Sequence, residues 1–153
     1  KELNYDNLND LRKLESALKN WFANPKELNF TDSEMRYPFD MKKWININYK
    51  INKIQTVVLT KYDWIIGYVG IKFLEKDRKA HIAQIFIDPN HRGNGYRNKI
   101  INYIQDFPVK NKIETITITV MKKDKSSREL YIDSGFVEKE KSGNRVYLEK
   151  DIR

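Results

Sequence analysis

A chain of 153 residues, 40% hydrophobic and 33% charged, is sized for one domain with a buried core. It has no cysteine and only two histidines, His81 and His91, which excludes disulfides, thiolate metal sites and a cysteine nucleophile, so no metal is expected. The formal charge of +8 admits a polyanionic partner, whether nucleic acid or a phosphorylated cofactor, without choosing between them.

No apolar run approaches the roughly 20 residues of a membrane span. The longest, around Trp64-Ile65-Ile66, is broken by Gly67 and Gly70. The N-terminus shows no basic-then-apolar pattern, so a cytoplasmic protein without membrane contact is expected.

In chain order, residues 1–5 suit a short first strand. Over residues 6–22, Leu8, Leu11, Leu14, Leu18 and Phe22 recur at three- and four-residue steps, which predicts an amphipathic helix. Residues 23–38 read as loop, with Pro25 and Pro38 as breakers. A second helix is predicted after Asp40, carrying Met41, Trp44, Ile45 and Tyr49. Strands are expected at 56–60 and 64–74, joined by a tight Lys61-Tyr62-Asp63 turn, and a charged turn leads to a third at 80–87. Pro89 closes that strand because it cannot donate to a ladder. After Gly95 the period becomes helical through Ile100, Ile101, Ile104 and Phe107, and Pro108 stops it.

Residues 113–121 alternate Ile with Thr, a strand signature. Ser126 to Glu129 reads as a capping box opening a short helix, with Gly135 placed to end it. Residues 136–141 and 145–151 form a closing hairpin turned at Ser142-Gly143-Asn144. The order predicts one mixed α/β domain over 1–153 with a central, mostly antiparallel sheet flanked by helices.

Ile87 to Arg97 runs from a strand end to a helix start. Its glycines allow tight turning and leave amides uncovered. Amides at a helix N-terminus attract anions, and a pyrophosphate is a natural occupant. A hairpin at Asn94-Gly95 is disfavoured by the helical period that follows. A P-loop is excluded because no Gly-Lys-Ser/Thr follows, and a dinucleotide fingerprint lacks its third glycine.

Ile87-x-Pro89-x-x-Arg92-Gly93-x-Gly95 resembles the acetyl-CoA motif of the GNAT superfamily of N-acetyltransferases. Asp124-x-x-Ser127-x-x-Leu130-Tyr131-x-x-x-Gly135-Phe136 resembles the family's second motif, Asn-x-x-Ala-x-x-Leu-Tyr-x-x-x-Gly-Phe. Two departures stand out: Arg97 replaces a small residue, and Asp124 replaces the asparagine. The N-terminal third is loosely similar to the ribosomal-protein alanine N-acetyltransferases and their antibiotic-acetylating relatives.

The resemblance implies direct attack of a deprotonated primary amine on the acetyl thioester of acetyl-CoA, in a ternary complex. It implies backbone contacts from Ile85, Phe86 and Ile87 to the pantetheine arm, with the Ile87 amide as candidate oxyanion donor. It also implies cofactor contacts from Arg92, Gly93, Asn94, Gly95, Tyr96, Arg97, Asp124 and Ser127. Tyr131 corresponds to the tyrosine that protonates or hydrogen-bonds the departing thiolate.

His81 occupies a strand position where many relatives carry a general base, and its ordinary pKa near 6.5 suits that task. Glu75 and Asp88 are weaker candidates. Lys122, Lys123, Lys125 and Arg128 could meet a 3′-phosphate or form a solvated face. The acceptor is expected to be a small amine or a peptide or protein N-terminal amine, and monomer and homodimer both stay open. A non-catalytic acyl-CoA-binding or regulatory domain is the alternative. A nucleic-acid-binding module is disfavoured, because the aromatic residues do not interleave with the basic ones.

Overall fold

The computed structural model describes residues 5–31, 35–107 and 112–152. It comprises helices α1 (Leu8–Trp21), α2 (Pro25–Thr31) and α3 (Met41–Trp44), a π-helical turn (Ile45–Ile51), strands β1 (Gln55–Lys61), β2 (Trp64–Leu74) and β3 (Lys79–Ile87), helix α4 (Tyr96–Gln105), strand β4 (Thr115–Met121), helix α5 (Lys125–Asp133), and strands β5 (Val137–Ser142) and β6 (Arg145–Asp151). The strands form one sheet in the order β1-β2-β3-β4-β6-β5. The β1–β2, β4–β6 and β5–β6 pairs are antiparallel and the β3–β4 pair is parallel, so the predicted mixed α/β architecture is the observed one. Two compact units are distinguished: Lys1–Ile71 with Gln84–Tyr96, and Lys72–Ala83 with Arg97–Arg153.

In the first unit, Asn7 starts α1 by accepting from the Asn9 and Asp10 amides at 3.0 and 3.1 Å. Leu14 and Leu18 line the buried face, as their spacing predicts, and Trp21 joins them, while Leu8 sits in solvent on the first turn. Residues 23–38 are not all loop. Pro25 opens α2, where its missing N–H costs nothing, and the Asn24 side chain accepts from the Lys26 amide at 3.0 Å. The helix after Asp40 keeps α-geometry for four residues and then widens to π-geometry through Ile51. The core joins Leu14, Leu18, Trp21, Phe22, Trp44 and Phe86.

In the second unit, β4 pairs with β6 from Thr115↔Asp151 to Met121↔Arg145. The strand starts at Thr115, leaving Ile113 outside it. The closing hairpin turns on Gly143 and Asn144 alone, since Ser142 pairs with Arg145. Asp124 rather than Ser126 caps α5, accepting from the Ser127 amide at 3.3 Å, so the helix begins one residue before the expected cap. Its C-terminus behaves as expected. Gly135 adopts φ +98, its amide bonds the Ile132 carbonyl, and the Phe136 amide bonds the Tyr131 carbonyl at 3.0 Å. This 6→1 and 5→2 pair is a Schellman cap. Of the remaining expectations, residues 1–4 and Pro108 lie outside the described residues, and α4 ends at Gln105, before Phe107.

Candidate active site

The register of β3 with β4 runs from Lys79↔Thr115 to Ile82↔Ile118, whereas β3 itself continues to Ile87. Ile85, Phe86 and Ile87 therefore lie beyond the last β4 pair. The Phe86 side chain is explained by packing. The Phe86 ring centroid lies 4.8 Å from Trp21 and 5.3 Å from Phe22, which ties this end of the strand to α1.

Past Ile87 the chain is braced by Asp88. Its carboxylate accepts from the Trp21 indole at 3.0 Å and from the Asn90 amide at 2.9 Å. Burial pushes the Asp88 carboxyl up. The bonds from Trp21 and Asn90, with His91 nearby, outweigh that and hold it below the usual carboxylate range. These bonds commit Asp88 to shaping the turn.

Gly93 and Gly95 both take positive φ, +83 and +76. A β-carbon added at either would meet nothing within 4 Å, so open space adjoins the backbone just before α4. The residues thus fit a phosphorylated ligand approaching the chain closely, with helical amides following. Asn94 caps back onto the His91 carbonyl at 3.0 Å, and the half-buried Tyr96 opens α4.

Arg92 is engaged elsewhere. Its guanidinium donates to the Ile87 carbonyl at 3.0 Å and to both Glu27 carboxylate oxygens at 3.2 and 2.7 Å, and it lies over the Phe86 ring. Its side chain braces the turn against α2. The motif did not reveal Glu27, because a partner 65 residues away leaves no local signal.

In the second unit, Tyr131 is buried on α5, its ring edge-on to Phe136 at 5.4 Å. The Schellman cap brings these two rings together, so Gly135 positions Tyr131. Burial pushes the Tyr131 phenol up to about 12; Arg97 opposes the shift and Asp124 adds to it. Handing a proton to a thiol near 8.5 is then uphill by about 5 kcal/mol, against about 2 for an unperturbed tyrosine.

Arg97 does not crowd the glycine turn. Its guanidinium donates to the Ser127 hydroxyl at 3.3 Å and lies 5.7 Å from the Tyr131 ring centroid. Of the basic run around the second motif, Lys122, Lys123 and Lys125 are exposed, while Arg128 stands 3.9 Å from the Glu138 carboxylate.

His81 lies on β3, with Nδ1 2.8 Å from the Thr117 hydroxyl on the paired strand. Burial first, and the Lys72 charge second, hold its pKa below the ordinary value. The imidazole is therefore neutral near pH 7, and Thr117 orients it. Thr117 is itself buried, at 2% exposed. Glu75 lies in an exposed turn. No group of side chains suited to hold a metal occurs among the described residues, and no helix among them is long and apolar enough to cross a membrane.

Residues 16–136 match the family model described as the Acetyltransferase (GNAT) family. No curated protein matches the chain. Among solved structures, the GNAT domain of S. lividans PAT superposes with a TM-score of 0.78 at 15% identity, over 99% of this chain and 89% of that one. PaiA N-acetyltransferase from Thermoplasma acidophilum, in complex with coenzyme A, gives 0.68 at 16% identity, over 94% and 93%. Spermidine N-acetyltransferase from Vibrio cholerae, in complex with CoA and spermine, gives 0.67 at 19%, over 97% and 90%.

Proposed function

Because the chain belongs to the acetyltransferase (GNAT) family of acyltransferases, we propose that it moves an acetyl group from acetyl-CoA to a primary amine by direct attack in a ternary complex. The observation that carries this reading is the turn after β3, where Gly93 and Gly95 hold positive φ beside open space and lead into α4. Acetyl-CoA supplies an activated acetyl thioester when bound. The amides of Ile85, Phe86 and Ile87 bind its pantetheine arm, and the Ile87 amide faces the developing negative charge. Losing one such donor costs about 3–4 kcal/mol of catalysis.

The amides of Gly93, Asn94, Gly95, Tyr96 and Arg97 hold the pyrophosphate. Arg92 contributes backbone to that turn, its side chain serving as the brace. Asp124 and Ser127 contribute at the start of α5. Tyr131 hydrogen-bonds the sulfur as the carbon–sulfur bond breaks and hands it the hydroxyl proton. His81 takes the amine's proton directly or through water, and its lowered pKa keeps it in the accepting form near neutrality.

The acceptor belongs to the small amines or to peptide and protein N-terminal amines. The residues act as one N-acetyltransferase domain in a cytoplasmic setting. Thiol release from acetyl-CoA across a panel of amines and peptides tests the reading. One acceptor giving turnover well above acetyl-CoA hydrolysis supports it. Tight acetyl-CoA binding with no turnover on any acceptor favours the non-catalytic alternative.

A further inference from the structure

Arg97 stands where the family pattern has a small residue, and its surroundings give the departure a purpose. Two contacts of different kinds fix its side chain. Nη1 donates to the Ser127 hydroxyl at 3.3 Å, and the guanidinium carbon lies 5.7 Å from the Tyr131 ring centroid. Ser127 and Tyr131 are one helical turn apart on α5, so both contacts fall on the same face of that helix. A cation over an aromatic ring is attracted by the ring's quadrupole, and more strongly where water is excluded. Phe136, held by the Schellman cap, packs on the same tyrosine.

Two charges bear on the Tyr131 phenol, and they oppose each other: Arg97 from α4 and Asp124 from the α5 cap. Asp124 is occupied with the Ser127 amide. Ser127 therefore meets Asp124 through its amide and Arg97 through its hydroxyl.

We infer that Arg97 is a positioning residue for Tyr131: seated on its ring and tied to Ser127, the guanidinium holds the phenol in place and stabilises negative charge on its oxygen as the proton leaves. The inference rests on the acetyltransferase reading. Tyr131 passes its hydroxyl proton to the sulfur as the amine nitrogen bonds the acetyl carbon and the carbon–sulfur electron pair stays on sulfur. The phenol then recovers a proton from solvent, and the amine's surplus proton goes to His81.

The test has two arms. In the ligand-free protein, difluorotyrosine is encoded at position 131 and its ionisation followed by fluorine NMR, comparing native Arg97 with Arg97→Gln and Arg97→Lys. Removing the charge should raise that pKa by roughly half to one unit, and lysine should restore part of the difference. In steady-state kinetics, Arg97→Gln should lower kcat several-fold with little change in acetyl-CoA affinity, and the loss should vanish in a Tyr131→Phe background. An unmoved fluorotyrosine pKa overturns the inference. So does a kinetic loss that persists in full without the tyrosine hydroxyl. A tenfold weaker acetyl-CoA affinity with kcat and pKa unchanged would make Arg97 a phosphate ligand instead. Absence of turnover in the unaltered protein would overturn the acetyltransferase reading, while the fluorine titration would still decide whether Arg97 acts on Tyr131.

Discussion

Arg92 and Glu27 form a two-pronged ion pair, 3.2 and 2.7 Å across its two hydrogen bonds, which ties the glycine turn after β3 to helix α2. The same guanidinium spans the Ile87 carbonyl and the Phe86 ring, so one side chain reads the strand end, the turn and the helix together.

Glu27→Gln should cost less than about 1 kcal/mol of stability, because both partners are partly solvated. Arg92→Ala should cost more, since it also removes the bond to Ile87 and the cover over Phe86. If the arginine acts as a brace, Glu27→Gln should leave acetyl-CoA affinity within about twofold, a change worth some 0.4 kcal/mol. Denaturant melts and titration calorimetry measure the two quantities.

Saturating acetyl-CoA should raise the melting temperature by roughly 5–10 °C, the shift expected of a ligand present at about a hundred times its Kd. Gly95→Glu should abolish that rise by placing bulk and negative charge in the open space beside the turn. Gly95→Ala separates strain from blockage. It should lower stability by about 1–2 kcal/mol through its positive φ while keeping part of the shift. A differential scan with and without millimolar acetyl-CoA decides, and no shift in the native protein would remove the cofactor assignment.

Tyr131→Phe should keep the fold and acetyl-CoA affinity while lowering turnover where chemistry limits the rate. The substitution also carries a stability signature. The folded-state phenol pKa of about 12 lies above the unfolded value near 10, so the native protein loses stability as pH rises from about 10 to about 12. Phenylalanine cannot ionise, so the variant should show a smaller alkaline loss. Chemical denaturation across that range checks it.

His81→Ala should reduce the rate with a strongly basic acceptor by roughly 10²–10⁴-fold, and the loss should shrink as pH rises. For the native protein, burial and Lys72 depress the imidazole pKa, so the rate should climb through a value below the ordinary 6.5 and then level off. Thr117→Val should disturb the same limb by freeing the ring that the hydroxyl orients. A pH–rate profile unmoved by His81→Ala would place the base elsewhere, with Glu75 the next to test.

Local chemistry made much of this architecture legible in the amino-acid order. Helical spacing of Leu14, Leu18 and Phe22 defined the buried face of the first helix, and the glycines at 93, 95 and 135, which take positive φ, marked a strand-to-helix turn and a helix end. Those signals work because a backbone conformation or a periodicity is carried within a few residues. The misreadings were local as well. Pro25 opens a helix rather than breaking one, and Asp124 took the cap assigned to Ser126, because proline and capping residues act through their position relative to a boundary that sequence places only approximately.

Side-chain partnerships required the folded chain. Sequence put Arg92 in the turn after β3, Arg97 at the start of α4, His81 on β3 and Tyr131 on α5, but did not reveal what each one touches. Arg92 meets Glu27 across 65 residues, His81 meets Thr117 across 36, and Arg97 meets Ser127 across 30. Such contacts depend on which faces of distant segments pack within a few ångströms, and no spacing rule along the chain encodes that. The backbone turn could therefore be read from its glycines, whereas the bracing of Arg92, the orientation of His81 and the charge set beside Tyr131 were decided only by tertiary packing.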